Sequence, residues 1–550
     1  MLTQKLLGIK TRLLFTRFVS CKSCGIELQN KNPNEQGYYT EPKKEPLIRS
    51  PNLQDVKYLL FTQNPRNVSH ENSIPTDSEV RNKLQILNCK RCCDALHRNH
   101  YIKEEFPRYS LKQVSNSIPE KSAVFHVVPL TDFPLHLDKS VITDEQFETS
   151  LLLTKGDQIT PNKSLLQRKA PLFFKEFCKL YLGINSNKTV ALSALSSWNV
   201  QSVYSMLAAS SYLVGAPNVG KSTLINALLQ KYSGRKLKNE KSFGNANSTS
   251  ELEALIDSKR FLHLQTAGVS HIPNMTRAVQ PYKIGEKVLY DLPGYSKNMN
   301  SIDLDSFIDK KLLERIRKTD LFKKKKLAKQ SYASIKGSDS GRCYTVSGLF
   351  YLIPPPGTIN QVVNYIPGEE KQYRNIDKAL TVIKETYQNS ETAPLKKYVG
   401  VSEEMSSKEK YVRHVIPPFQ GTIEIALKDI GFFQLRCTGK YSFKGLYEIW
   451  VPKGIEVCVR EPLSRLIEEG FEKSIITKRH SVACPKDRSV FSSTYPMAFD
   501  EQDVLSKMRE MFLQRTSGHI LSRRSVQNDP MDILNKLHQE PPNLYWFYCW

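Results

Sequence analysis

Gly215-Ala216-Pro217-Asn218-Val219-Gly220-Lys221-Ser222 is a complete G-x-x-x-x-G-K-S. The apolar run Tyr212-Leu213-Val214 before it predicts a strand, and residues 223–229 after it predict a helix. Strand, loop and helix in that order are the context in which this spacing binds phosphate. Its glycines let backbone N–H groups curl around phosphate oxygens, and the helix N-terminus adds its positive dipole end. Lys221 is expected to reach the β- and γ-phosphates and the Ser222 hydroxyl to ligate magnesium, with Gly215, Gly220 and Thr223 completing the cradle.

Downstream, Lys287-Val288-Leu289-Tyr290 reads as a strand that ends in Asp291-Leu292-Pro293-Gly294. A carboxylate at a strand end can hold the magnesium shell, and Gly294 can approach a γ-phosphate because no side chain blocks it. Between the two motifs, Thr276 is the candidate switch threonine sensing magnesium and γ-phosphate, one of many threonines that could fill that role.

The base-recognition motif expected after a phosphate loop has no good candidate in the downstream half. Upstream, Leu151-Leu152-Leu153 runs into Thr154-Lys155-Gly156-Asp157. Asp157 could accept from the two N–H donors on the Watson–Crick edge of guanine, a donor pair adenine lacks, and so select G over A. The stem of Lys155 could lie over the base. Taken singly, T-K-G-D also reads as an ordinary strand-to-turn exit. It is accompanied by a second strand-like run at 189–192 leading into Ser193-Ala194-Leu195, a short loop suited to contact the guanine oxygen through its backbone. The fold class expected is α/β: a P-loop GTPase domain whose motifs occur in circularly permuted order, which is permissible where chain termini lie close together.

At 550 residues the chain exceeds a single core, so about two to four domains are expected. Hydrophobic residues at 40% and charged residues at 24% fit a globular protein, and no apolar run is long enough to cross a bilayer. Lysine and arginine number 79 against 55 acids, and an excess of this kind favours polyanions through phosphate contacts and counterion release. The runs Lys323-Lys324-Lys325-Lys326 with Lys329, and Arg235, Lys236, Lys238 and Lys241, are candidate phosphate-backbone contacts, or else solvated faces. Residues 1–20 carry Lys5, Lys10, Arg12 and Arg17 among leucines and no acid, which reads as a mitochondrial transit peptide, with an ordinary basic tail as the alternative.

Cys21 and Cys24 form one C-x-x-C and Cys89 and Cys92 another. Together they offer four thiolates for a tetrahedral structural zinc, although the stretch 25–88 between them exceeds ordinary zinc-ribbon spacing. Cys93 and His97 are spare ligands, and unrelated buried thiols or a redox pair remain alternatives. Residues 51–80, rich in Asn, Ser, Pro and charge, read as an excursion inside this region. Beyond residue 350, apolar runs such as Thr422-Ile423-Glu424-Ile425-Ala426-Leu427 alternate with turns and predict a mixed α+β domain with strands prominent across 411–460.

With these motifs in this order, the chain resembles the YqeH class of circularly permuted GTPases. The resemblance is carried by Cys21-Lys22-Ser23-Cys24-Gly25-Ile26-Glu27-Leu28-Gln29, the second cysteine pair, the permuted motifs, and Trp450-Val451-Pro452-Lys453-Gly454. After the expected transit peptide at 1–20, it implies a zinc module at 21–105, a permuted GTPase at 106–345 and an RNA-associated α+β domain at 346–550. It also implies slow GTP turnover, assembly of the mitochondrial small ribosomal subunit in the matrix, and contact with its ribosomal RNA and pre-ribosomal particle. Two departures stand out: Thr154 replaces the usual asparagine of the base motif, and Tyr295 follows D-x-x-G where Ras-like enzymes place a water-orienting glutamine. The resemblance links such substitution to potassium, for which Asn218 is the implied ligand. The alternative is a non-enzymatic RNA-binding scaffold whose site binds nucleotide without hydrolysing it. Peripheral association with the inner membrane has no residue that discriminates it.

Overall fold

In the computed structural model, residues 20–40, 87–98, 101, 105–178, 188–240, 267–269, 272–297, 303–318, 332–388, 395–416, 421–438, 447–468, 491–493 and 495–496 are described. The basic N-terminus, the 51–80 excursion and the 323–329 lysine run lie outside the described residues, as do the side chains of the 235–241 cluster.

Near the front, short bridges Ser20↔Glu27 and Gln29↔Tyr38 fold the first cysteine pair, and helix α1 (Lys90–His97) carries the second. Next comes a six-stranded sheet. Its strands are β1 (Ala123–Pro129), β2 (Glu148–Thr154), β3 (Thr189–Ala191), β4 (Ser210–Val214), β5 (Gln280–Ile284) and β6 (Lys287–Asp291), in spatial order β3-β2-β1-β4-β6-β5. All neighbours are parallel except the edge pair β5–β6. Parallel strands must be covered on both faces, and the period of two along β2 shows how. Leu151 and Leu153 point into a cluster with Phe133, Phe173, Phe174 and Phe177, the last three on helix α2 (Ala170–Phe177). Leu152 points the other way, to Val200 and Val203 of α3 (Val200–Met206) and Leu224 and Leu228 of α4 (Lys221–Glu240).

Helix α5 (Lys310–Arg317) leads into two further sheets. One has the order β17-β16-β13-β14-β10-β7, from strands β7 (Tyr332–Lys336), β10 (Ile359–Asn364), β13 (Gly421–Leu427), β14 (Gly431–Thr438), β16 (Val457–Arg460) and β17 (Phe491–Ser493). The other has the order β11-β8-β9-β15-β12-β18, from β8 (Cys343–Val346), β9 (Tyr351–Ile353), β11 (Glu370–Tyr373), β12 (Tyr411–Ile416), β15 (Tyr447–Pro452) and β18 (Tyr495–Pro496). Ile423, Ile425 and Leu435 of the first share a core with Tyr351, Ile449 and Val451 of the second, and Leu380 and Ile383 of α6 (Ile376–Gln388) join it. β7 and β8 already belong to these sheets, so the C-terminal half begins ahead of residue 346.

The two halves are packed together. Ala426, Phe432, Cys458 and Leu463 sit in the same apolar cluster as Val128, Leu130 and Phe133. At its centre the fully buried Arg460 donates to the carbonyls of Leu130 (3.3 Å), Thr131 (2.8 Å) and Phe133, and its Nε lies 2.6 Å from Glu424 Oε1.

Candidate functional site

β4 ends at Val214, the next six residues turn, and α4 begins at Lys221. The turn is tight enough to demand glycine. A Cβ on Gly215 would lie 2.6 Å from the carbonyl of Val127 on β1, and Gly220 has φ +100°. Lys221 is buried, and its ammonium donates to the carbonyls of Gly215 (2.9 Å) and Ala216 (3.0 Å). Burial lowers its pKa to about 8, partly opposed by Asp291. Ser222 Oγ, one residue into the helix, donates to Asp291 Oδ2 at 2.7 Å; Thr223 follows it on the same turn.

Asp291 closes β6, beside β4 in the sheet, so strand pairing itself brings this carboxylate to the phosphate loop. It is buried, which raises its pKa against the opposing pull of Lys221 and Ser222. Its Oδ1 is a buried acceptor with no hydrogen-bond partner. An orphaned carboxylate oxygen next to a serine hydroxyl is a donor set suited to magnesium. Gly294 lies against the loop from the other side: a Cβ there would come within 2.7 Å of Pro217 N and 2.8 Å of its Cα. Tyr295 turns away into an apolar cluster with Val124, Val141 and Val214, and its hydroxyl donates to Asp138 Oδ2 at 3.3 Å.

The upstream motif comes to the same place. Thr154, at the end of β2, donates its hydroxyl to the carbonyl of Val219 inside the phosphate loop at 2.5 Å. Lys155 then takes a left-handed conformation (φ 56°), Gly156 donates to the carbonyl of Leu192 (3.0 Å), and Asp157 is buried. A Cβ on Gly156 would lie 2.4 Å from Leu166 Cδ2 and 3.0 Å from the carbonyl of Leu192, so a side chain there would displace Leu166. Ser193 is buried and its backbone is locked to Trp198 in both directions, while Ala194 packs partly buried beside it. Lys155 and Asn218, the latter at φ 58°, line one cleft, whose far wall is Tyr365, Asp429 and Phe432 of the C-terminal half.

Thr276 is held elsewhere. No hydrogen bond among the described residues brings it to Ser222 or Asp291. Its segment is docked on the cysteines: Arg277 and Ala278 donate their N–H groups to the carbonyl of Cys24 (3.0 and 3.2 Å), and Met275 packs against Cys92. Arg91 of α1 donates to the carbonyl of Met275 at 3.3 Å. A Cβ on Gly268 would meet Ser23 Cα at 2.6 Å, a close approach that only glycine allows. Cys21, Cys24, Cys89 and Cys92 are buried and offer four sulfurs within 4.8 Å of one another. Four clustered sulfurs fit a structural zinc better than a single redox pair does.

Sequence reading missed two groups here. Asp132 and His136, after β1, meet Asp429 in the β13–β14 turn, and Arg460 spans the two halves. The D-x-x-x-H spacing was visible; its partner lies nearly 300 residues away.

The phosphate loop, the carboxylate strand beside it and the parallel sheet define a P-loop GTPase domain in a mixed α/β chain. Residues 210–269 match a family model described as 50S ribosome-binding GTPase. Residues 20–106 and 330–536 match the N-terminal and C-terminal domains of genetic interactor of prohibitins 3. Proteins called "Genetic interactor of prohibitins 3, mitochondrial" are 53% identical in Lachancea thermotolerans (98% of this chain, 97% of the relative) and 50% identical in Zygosaccharomyces rouxii (97% and 94%). The Saccharomyces cerevisiae protein of that name is 47% identical (97% and 96%). The chain belongs to the genetic interactor of prohibitins 3 family and is mitochondrial. Among the described residues no helix is long and apolar enough to cross a membrane.

Proposed function

We propose that the chain is a circularly permuted GTP-binding protein with slow turnover that acts in assembly of the mitochondrial small ribosomal subunit, in the matrix. One observation carries the permuted reading: the 2.5 Å hydrogen bond from Thr154 to Val219, which joins the T-K-G-D motif to a phosphate loop that follows it in the chain. With that contact made, Asp157 and Lys155 would serve the guanine base, aided by Ser193 and Ala194. Gly215, Gly220, Lys221, Ser222 and Thr223 would serve the phosphates. Ser222 and Asp291 would hold magnesium, which neutralises charge developing on the phosphates, and Thr276 would join them after leaving its present seat. Asn218 would ligate potassium. Cys21, Cys24, Cys89 and Cys92 would hold zinc as a structural ion. The basic excess supports contact with ribosomal RNA of a pre-ribosomal particle.

Turnover is expected to be slow, because Tyr295 is seated in a core with its hydroxyl engaged and cannot orient water. The same observation favours the second reading, a scaffold that binds GTP without hydrolysing it. GTP binding and turnover with and without potassium, beside a Lys221→Ala control, separate the two. Binding with background turnover equal to the control leaves only the scaffold; absence of GTP binding removes both. Crosslinking in organelle extract is expected to recover small-subunit ribosomal RNA, and recovery of none counts against the assembly role.

A further inference from the structure

Across the seam between the two halves lie three groups that the nucleotide reading does not use. His136 Nε2 is 2.9 Å from Asp132 Oδ2 and 3.1 Å from Asp429 Oδ1. The side chains of His136 and Asp132 are each 4% exposed, while that of Asp429 is 46% exposed on the open side of the cleft. These distances suit an ion pair, yet the buried Nε2 makes no N–H···O hydrogen bond of good geometry to either oxygen.

That disagreement has a geometric explanation. An N–H donor aims at its acceptor, with N–H···O above about 150°. A metal ion behaves differently. Two donors each ~2.1 Å from one ion and at ~90° to each other are ~3.0 Å apart, and each oxygen then lies ~45° off the axis of the ring nitrogen. Two oxygens at 2.9 and 3.1 Å, neither in good hydrogen-bond geometry, match the edges of such a polyhedron. Other contacts orient the ligands as a metal site requires. Thr131 Oγ1 donates to Asp132 Oδ1 at 2.9 Å, and the Asp429 N–H donates to Asp132 Oδ2 at 3.0 Å. Burial alone would lower the His136 pKa, but Asp429 and Asp132 raise it to about 10, so a metal must displace a proton from the ring; once it does, a neutral imidazole and two carboxylates carry two negative charges, which one divalent ion neutralises.

We propose that Asp132, His136 and Asp429 bind a divalent cation of borderline character, such as manganese or zinc, that pins the β13–β14 turn of the C-terminal half to the segment after β1. One nitrogen and two oxygens suit such ions. The site lines the same cleft as Lys155 and Asn218 but shares no ligand with the phosphate loop, so it stands or falls apart from the nucleotide reading.

Manganese is the probe, added to the full nucleotide-free chain with its cysteines zinc-loaded, and read by electron paramagnetic resonance. One Mn2+ per chain is expected with coupling to a histidine nitrogen. Asp429→Asn should weaken binding roughly tenfold or more while the turn survives, because asparagine tolerates the positive φ found there. His136→Gln should abolish the nitrogen coupling. Asp291→Asn and Lys221→Ala, which strip the phosphate loop, should leave the signal intact. Manganese that is lost with Asp291→Asn but indifferent to Asp429→Asn overturns the proposal. So does a His136 ring carrying protons on both nitrogens at pH 8 under excess zinc, which would make the cluster an imidazolium clamp.

Discussion

At the scale of the residue, Lys221 carries the sharpest consequence. Its pKa is lowered by burial from 10.5 to about 8, so the folded, nucleotide-free chain binds fewer protons than the unfolded chain between those values. Stability must therefore rise with pH across pH 8 to 10.5 as far as this group is concerned; the penalty for keeping it charged is full below pH 8. Nucleotide phosphates favour the ammonium form, so GTP binding should take up a proton near and above pH 8. Affinity should fall above pH 8 by up to about tenfold per unit. Calorimetry at pH 8 in two buffers of different ionisation enthalpy reads this directly, and equal heats would contradict it. Gly294 gives a second test. A Cβ there meets Pro217 backbone, which cannot yield as a flexible side chain can, so the loop must shift. Gly294→Ala is expected to weaken GTP roughly tenfold while costing about 1–3 kcal/mol of stability, comparable to other overpacking changes. Nucleotide titration and urea unfolding measure the two separately.

At the scale of the element, what the sequence disclosed follows the range of the interaction. The phosphate loop, the strand before Asp291 and the buried run 151–153 were legible because apolar periodicity and glycine placement are local properties, and strands stand at all three places. The meeting of Thr154 with Val219 was legible only as an order of motifs, since nothing local in T-K-G-D states where the strand end points. The seat of the 275–278 segment was not legible at all. Arg277 and Ala278 bond to the carbonyl of Cys24, some 250 residues away in sequence, and Met275 packs on Cys92, 183 residues away. Thr276 was chosen by chain position between two motifs, and chain position carries no information on docking. This docking makes a prediction. Two N–H groups share the single carbonyl of Cys24, so the cysteine fold holds the segment in place. Cys24→Ser should raise amide exchange at 275–280 by roughly tenfold or more, the amplitude of a local opening, while the β1–β4 amides stay protected. Uniform exchange across both regions would mean the cysteines support the whole fold instead of this segment.

At the scale of the whole molecule, the question is what couples the nucleotide half to the C-terminal sheets, and Arg460 is the principal polar link. Its strand reads Val457-Cys458-Val459-Arg460, where an arginine would be taken for a solvent-facing end. Instead it is fully buried, bonded to Glu424 within its own sheet and to three carbonyls after β1. Those carbonyls belong to the turn that presents Asp132 to the nucleotide cleft. Removing the guanidinium leaves Glu424 charged and buried with its main partner gone, and leaves the carbonyls without their donor. Breaking a buried pair in this way costs about 3–5 kcal/mol. Arg460→Met is thus expected to lower stability by that amount, and Arg460→Met with Glu424→Gln to recover part of it, since the second change removes the stranded charge. The difference isolates the ion pair from the carbonyl contacts, which neither variant restores. If the clamp also transmits nucleotide state, the double variant, though refolded, should bind GTP without the protection that GTP gives β13 and β16 amides in the wild-type chain. Hydrogen exchange with and without GTP reads that coupling, and identical protection in the double variant would place it in the apolar contacts of Phe432 and Leu463 instead.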